Sequence, residues 1–182
     1  RDEKEGGTWL GVTRSGRWAA LTNYREPNAP VGVLSRGHLV ANFLQGDSEP
    51  LDYLEDIAKR ADDYSGFNLL VGTRQQAAVF SNRGTSPTLL AAGLYGLSNH
   101  LLDSPWPKTQ RLKAGLTDLV KQAQIDTTQA LSLLQDQTQP ADEDLPVTGV
   151  SVDWERMLAT AFIKLPVYGT RASSVLLLGQ ER

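Results

Sequence analysis

The sequence contains no cysteine, only two histidines and a single methionine. Without cysteine, disulfide bonds, cysteine-based zinc sites and a thiol nucleophile are excluded within these residues. The two histidines, His38 and His100, are far apart along the chain, so we predict no metal site. Apolar runs such as Val175–Leu178 have only the length of a strand, far below the roughly 18 residues of a membrane-spanning helix. The sequence therefore predicts no membrane span.

Basic residues are slightly outnumbered, with 18 Lys and Arg against 21 Asp and Glu and a formal net charge of −3. A nucleic-acid-binding domain usually carries a basic surface, so we predict no nucleic-acid partner. A chain of 182 residues supports one hydrophobic core, and we expect a single domain over residues 1–182. The charged start, residues 1–5, is unlike a secretory signal, and we expect a cytoplasmic location.

The first hundred residues alternate between short β-type runs and two helical segments. Helical spacing predicts one helix over residues 38–44, ended by Gly46, and a second from Pro50 to about residue 64. Six strands are predicted, mostly joined by hairpins, at residues 9–12, 17–21, 67–71, 77–80, 89–90 and 94–97.

The second half of the sequence is mainly helical. Apolar periodicity predicts helices over residues 112–123 and 127–134, and a last one that begins near Asp153. A returning strand is predicted at Val175–Leu178. Strands followed by helices indicate an α+β protein with helices packed on an antiparallel sheet. The polar segment over residues 136–148 is interpreted as a solvated loop, with a protein-binding role left open.

Three polar residues stand next to predicted strands. Asn23 and Asn99 each follow an apolar run, and Arg171 comes shortly before Val175–Leu178. An asparagine amide can donate hydrogen bonds to a developing oxyanion, and an arginine can hold a carboxylate. In the alternative interpretation the asparagines form turns and the arginine is a surface charge. The residues alone favour this alternative.

Several segments, spread over nearly the whole chain, resemble the NRDE family, also called the transport and Golgi organisation protein 2 family. The matching segments are Gly6–Val12, Ala20–Arg25, Ser35–Gly37, Phe67–Gly72, Ser81–Gly84, Gly93–Asn99, Pro105–Lys108 and Tyr168–Val175. Their length and spacing are typical of a bacterial member.

The resemblance implies a fold and an activity. The family is similar to N-terminal-nucleophile hydrolases of the choloylglycine and penicillin acylase type, which form an αββα sandwich of antiparallel sheets flanked by helices. In those enzymes the first residue after processing attacks an amide, with its own α-amino group as the base. By this resemblance Asn23 and Asn99 are oxyanion or substrate donors, and Arg171 is the partner of the nucleophile.

The resemblance also suggests that the sequence is incomplete. Arg1-Asp2 matches an element that in the family precedes Gly-Gly-Thr-Trp, here Gly6–Trp9. We therefore expect the Asn-Arg-Asp-Glu signature and a nucleophilic cysteine upstream, and the last strands downstream. On this interpretation the chain as given is catalytically inactive.

Two functions remain open. The first is an amidohydrolase or acyl-transfer protein that acts on a small amide or acyl compound. The alternative is a non-catalytic protein that binds and transports haem, a lipid or acyl-CoA. In either case we expect the ligand to contact Trp9, Tyr24, Arg36 and His100. No cofactor is expected, because haem is considered only as a transported ligand. The possibility of a homo-oligomer is left open.

Overall fold

One antiparallel sheet organises the first part of the chain in the computed structural model, which describes residues 6–84, 86–122 and 124–179. Its five strands follow the chain order β1-β2-β3-β4-β5, and each is antiparallel to its neighbours. They are β1 (Leu10–Val12), β2 (Trp18–Asn23), β3 (Phe67–Gly72), β4 (Ala77–Ser81) and β5 (Thr88–Leu90).

The β1–β2 hairpin depends on a glycine. Gly16 has φ of 86°, in the left-handed region that costs glycine little, and its N–H donates to the carbonyl of Thr13 at 3.1 Å. The turn sets the register that pairs Val12 with Trp18 and Leu10 with Ala20. The side chains of Ala19 and Leu21 in β2 consequently face the core.

Two helices supply the other layer of this core: α1 (Gly37–Gln45) and α2 (Pro50–Ala58). Helix α1 contacts β1, β2 and β3, and α2 contacts β4 and β5. Pro50 stands in the first turn of α2, where its missing N–H costs nothing. The largest fully buried apolar side chains are Phe43, Phe67, Leu39, Leu54, Ile57, Leu69, Val40 and Val71.

Three further helices form the second half: α3 (Pro107–Val120), α4 (Thr127–Leu133) and α5 (Val152–Leu158). The carboxylate of Asp126 accepts hydrogen bonds from the N–H groups of Thr128 and Gln129 and caps α4. These bonds lower the pKa of Asp126. Ser151 caps α5 in the same way through the N–H of Trp154.

The described residues group into two compact units. The first comprises residues 6–93, 98–101 and 178–179, and the second comprises residues 94–97 and 102–177, apart from positions 85 and 123. The first unit holds the sheet with α1 and α2, and the second holds α3, α4 and α5. No helix in the part of the chain that the structure describes is long and apolar enough to cross a bilayer.

The α+β class is confirmed, but two predicted strands are wrong. Residues 94–97 form an irregular loop, in which the Gly96 N–H donates to the Asp103 carboxylate at 2.8 Å and the Gly96 carbonyl accepts from the Asp103 N–H at 2.7 Å. Val175–Leu178 forms no regular secondary structure and pairs with no strand among the described residues. The second helix also ends earlier than expected, at Ala58. The described residues contain one sheet, so the second sheet of an αββα sandwich stays a prediction.

Candidate functional site

Asn23 and Asn99 are brought together although they are distant in sequence. Asn23 is the exposed last residue of β2. The Asn99 side-chain amide donates to the Asn23 carbonyl at 3.0 Å, and the Arg25 N–H donates to the Asn99 carbonyl at 2.7 Å. The loop over residues 98–100 therefore lies against the end of β2, as the strand-end interpretation requires.

A buried asparagine holds this loop in place. Asn68, in β3, is only 1% exposed, and its amide nitrogen donates to the Thr22 hydroxyl at 3.0 Å and to the His100 carbonyl at 2.9 Å. Thr22 in turn donates to the Ser98 carbonyl at 2.7 Å. The residues before and after Asn99 are thus fixed to β2 and β3. Asn68 was not predicted as a site residue; its signal in the sequence is a polar residue within the apolar strand Phe67–Val71.

The backbone of Gly66 connects Tyr24, Arg36 and Glu26. Its carbonyl accepts hydrogen bonds from the Tyr24 N–H at 3.0 Å and from an Nη of Arg36 at 2.8 Å. Its N–H donates to Oε1 of Glu26 at 2.7 Å. A Cβ at Gly66 would lie 2.3 Å from that oxygen and 3.0 Å from the Tyr24 Cβ, so a larger residue would displace the Glu26 carboxylate.

Aromatic rings extend this arrangement on both sides. The ring centroids of Tyr24 and His100 are 5.0 Å apart, and the guanidinium of Arg36 lies 5.8 Å from the centroid of the Trp9 ring. Trp9 is 42% exposed. Burial lowers the pKa of Arg36, although the negative charge of Glu26 acts in the opposite direction.

Six of the seven predicted site residues are consequently connected by contacts or chain neighbours within the first unit. We call this set the strand-end site; its members are Trp9, Asn23, Tyr24, Arg36, Asn99 and His100. Within it, the exposed Trp9 and Asn23 accompany four partly buried side chains, one of which is the cation Arg36.

Arg171, the seventh, belongs to the second unit. It is exposed and directly follows a tight turn, in which the Thr170 N–H donates to the Ile163 carbonyl at 2.8 Å and the Leu165 N–H donates to the Tyr168 carbonyl at 3.0 Å. Its role as the partner of a nucleophile stays a prediction.

The second unit contains an apolar cavity of about 370 Å³. It is lined by residues of α3, of α4 and of the segment over residues 174–177, and none of the four tryptophans contributes to it. The lining residues are Leu112, Leu116, Val120, Ile125, Ala130, Leu133, Leu134, Ser174, Val175, Leu176 and Leu177. Its volume is within the range of small-molecule sites, and its lining suits an aliphatic chain.

No metal centre is formed by the side chains that the structure describes, since no three His, Cys, Asp or Glu residues among them are grouped to hold an ion.

The sequence of the chain is similar to that of known proteins. Residues 1–182 match the family model described as "Transport and Golgi organisation 2". A transport and Golgi organization protein 2 homolog from Bos taurus is 36% identical over 98% of this chain and 70% of its own length. The Homo sapiens homolog is 34% identical over 98% and 70%, and the Mus musculus homolog is 33% identical over 96% and 68%. The chain therefore belongs to the Transport and Golgi organisation 2 family.

Proposed function

We propose that the chain binds a small amide or acyl compound at the strand-end site. The observation that supports this most directly is the hydrogen bond from the Asn99 amide to the Asn23 carbonyl. A side-chain amide has a second N–H, so Asn99 keeps a donor for a ligand carbonyl beside the exposed Asn23 side chain. Two amide donors that bind one ligand carbonyl would polarise it.

The proposal includes hydrolysis only for a protein that supplies a nucleophile. The N-terminal thiol would give its proton to the α-amino group, and the thiolate would attack the carbonyl carbon. The C–N bond would break, and the amine would leave with that proton. Water would then hydrolyse the thioester, which releases the carboxylic acid and restores the thiol. This chain contains no cysteine, so we expect it to bind without turnover. A related protein with an N-terminal cysteine should form an acyl-enzyme that intact mass spectrometry detects as the added acyl mass. Failure to trap any adduct with a bound amide would contradict the hydrolase proposal.

Substitution of the site residues tests binding by the chain itself. Asn99→Ala should weaken the binding of octanamide by about ten-fold, the effect of one lost hydrogen bond. Asn99 is half-buried, so the melting temperature of the variant should change little. Titration calorimetry measures the affinity, and Asn42→Ala, an exposed change on α1, is the control. A large loss of stability with unchanged affinity would show that Asn99 is structural.

The cavity of the second unit supports a second candidate function, the transport of a lipid, acyl-CoA or haem. A cavity lined almost entirely by aliphatic side chains stabilises a bound alkyl chain by about 0.8 kcal/mol for each methylene group. The family name refers to transport, which agrees with a carrier.

A cytoplasmic location also stays a prediction.

Leu116→Asp should abolish binding of a dansyl-labelled undecanoic acid, because it places a charge in the wall of the cavity. Leu131→Asp is the matched control, since Leu131 is an exposed residue of α4 outside the lining. Fluorescence titration measures both, and a parallel haem titration shows a Soret shift if haem is the ligand. Equal affinities for Leu116→Asp and the wild type would contradict a lipid site in this cavity.

A further inference from the structure

The charge of Arg36 is not balanced by a carboxylate in the part of the chain that the structure describes. Glu26 is the acid that raises its pKa, but both oxygens of Glu26 are already engaged. Arg83 donates to them from Nε at 2.6 Å and from Nη2 at 3.0 Å, and the Gly66 N–H donates to Oε1. Such a bidentate pair leaves Glu26 little capacity for a second cation.

Most hydrogen-bonding capacity of Arg36 is also unused. One Nη donates to the Gly66 carbonyl, and this is its single hydrogen bond among the described residues. The remaining N–H groups of a guanidinium form a planar fork that matches the oxygens of a carboxylate or phosphate. The Trp9 ring, 5.8 Å away, lies beside the cation and stays partly open to solvent.

The position of Arg36 relates it to the amide donors of the site. Arg36 and the Tyr24 N–H share the Gly66 carbonyl, and Tyr24 directly follows Asn23. A ligand whose carbonyl contacts Asn23 and Asn99 can therefore extend along Tyr24 toward the guanidinium. Glu26 is the carboxylate whose charge acts on Arg36, and Arg83 forms an ion pair with it.

From these observations we infer that Arg36 and Trp9 form an oxyanion subsite, so that the ligand of the strand-end site carries a carboxylate or phosphate as well as an amide or acyl group. This inference rests on the proposed amide-binding function and specifies its substrate class. Arg36 binds the charged end through its fork, and Trp9 packs against the adjoining carbon atoms.

The experiment compares three probes that share one acyl amide: N-octanoylglycine, its neutral analogue N-octanoylglycinamide, and N-octanoylethanolamine O-phosphate. We expect the wild-type chain to bind at least one anionic probe about ten-fold or more tightly than the neutral probe. The better anionic probe identifies the source of the oxyanion. Raising the ionic strength should reduce this preference without affecting the neutral probe.

Substitutions of Arg36 test whether this residue causes the preference for anionic probes. Arg36→Gln should make the anionic and neutral probes bind equally, while Arg36→Lys, which keeps the charge and loses the fork, should retain part of the preference. Arg14→Gln, an exposed arginine of the β1–β2 turn, is the control and should leave the preference unchanged. The neutral probe reports whether each variant is folded and competent to bind.

Two results would overturn the inference in distinguishable ways. If the wild-type chain binds neutral and anionic probes equally, the oxyanion subsite is refuted and amide binding stands. If it binds none of the probes, both the subsite and the proposed function fail. A preference that survives Arg36→Gln would assign the charge recognition to another residue and also refute the subsite.

Discussion

Replacing Phe43 with alanine is expected to lower the free energy of unfolding by about 4 kcal/mol. Phe43 is fully buried in α1, its ring centroid is 5.2 Å from that of Tyr53, and the Arg17 guanidinium lies 4.1 Å above the ring. Truncation removes the apolar contacts and leaves a cavity that the surrounding sheet and helices can fill only in part. The measurement is urea unfolding followed by circular dichroism.

Val33→Ala is the control for this prediction, because Val33 is 84% exposed and its truncation should change stability by less than about 0.5 kcal/mol. Arg17 also donates to the Phe43 carbonyl at 3.1 Å and 3.2 Å, bonds that the substitution leaves intact. A loss below about 1 kcal/mol for Phe43→Ala would show that this residue is not central to the core.

Asn68→Asp is expected to cost about 3 kcal/mol at neutral pH. The change replaces the donating NH₂ group with an acceptor oxygen that faces the His100 carbonyl, at the position where the amide nitrogen now lies 2.9 Å from it. The Thr22 hydroxyl also loses its donor. A charged carboxylate at a site that is 1% exposed adds a desolvation cost.

The penalty should depend on pH. Burial beside carbonyl oxygens raises the pKa of the new carboxyl in the folded state above its unfolded value of about 4. The folded state then binds the proton more tightly than the unfolded state. The variant therefore loses stability as the pH rises above the unfolded pKa of about 4, and it regains part of that stability when the pH falls below it. Stability differences from the wild type at several pH values measure this, with the exposed Asn42→Asp as control. A penalty independent of pH would contradict a buried carboxylate at this position.

The sequence predicted the elements in which local pattern and tertiary environment agree. Helix α1 and the strands around Leu69 and Val79 follow apolar periodicity, because their apolar residues face the same core. Residues 94–97 have an equally strand-like pattern, yet the Gly96 N–H is satisfied by the Asp103 carboxylate. The hydrogen-bond partner of a backbone N–H depends on residues outside the apolar run as well as on the run itself.

The candidate site was predictable only in part. Asn23, Asn99 and their aromatic neighbours were found because they follow apolar runs or match the family segments, and the structure places them together. Asn68 was not predicted to be part of the site, because a polar residue in a strand usually indicates the solvent-facing side of the sheet. Its burial results from the loop at residues 98–100, which covers it, and the sequence contains no local signal for that contact.

The order of the strands has a consequence for how quickly the protein folds. Three of the four strand pairings cross short connections, but β2 and β3 are joined by residues 24–66, which include α1 and α2. Closing a loop ten times longer costs about 2 kcal/mol more in chain entropy. The two outer hairpins can therefore form early. We expect the pairing of β2 with β3 to be the rate-limiting step of folding.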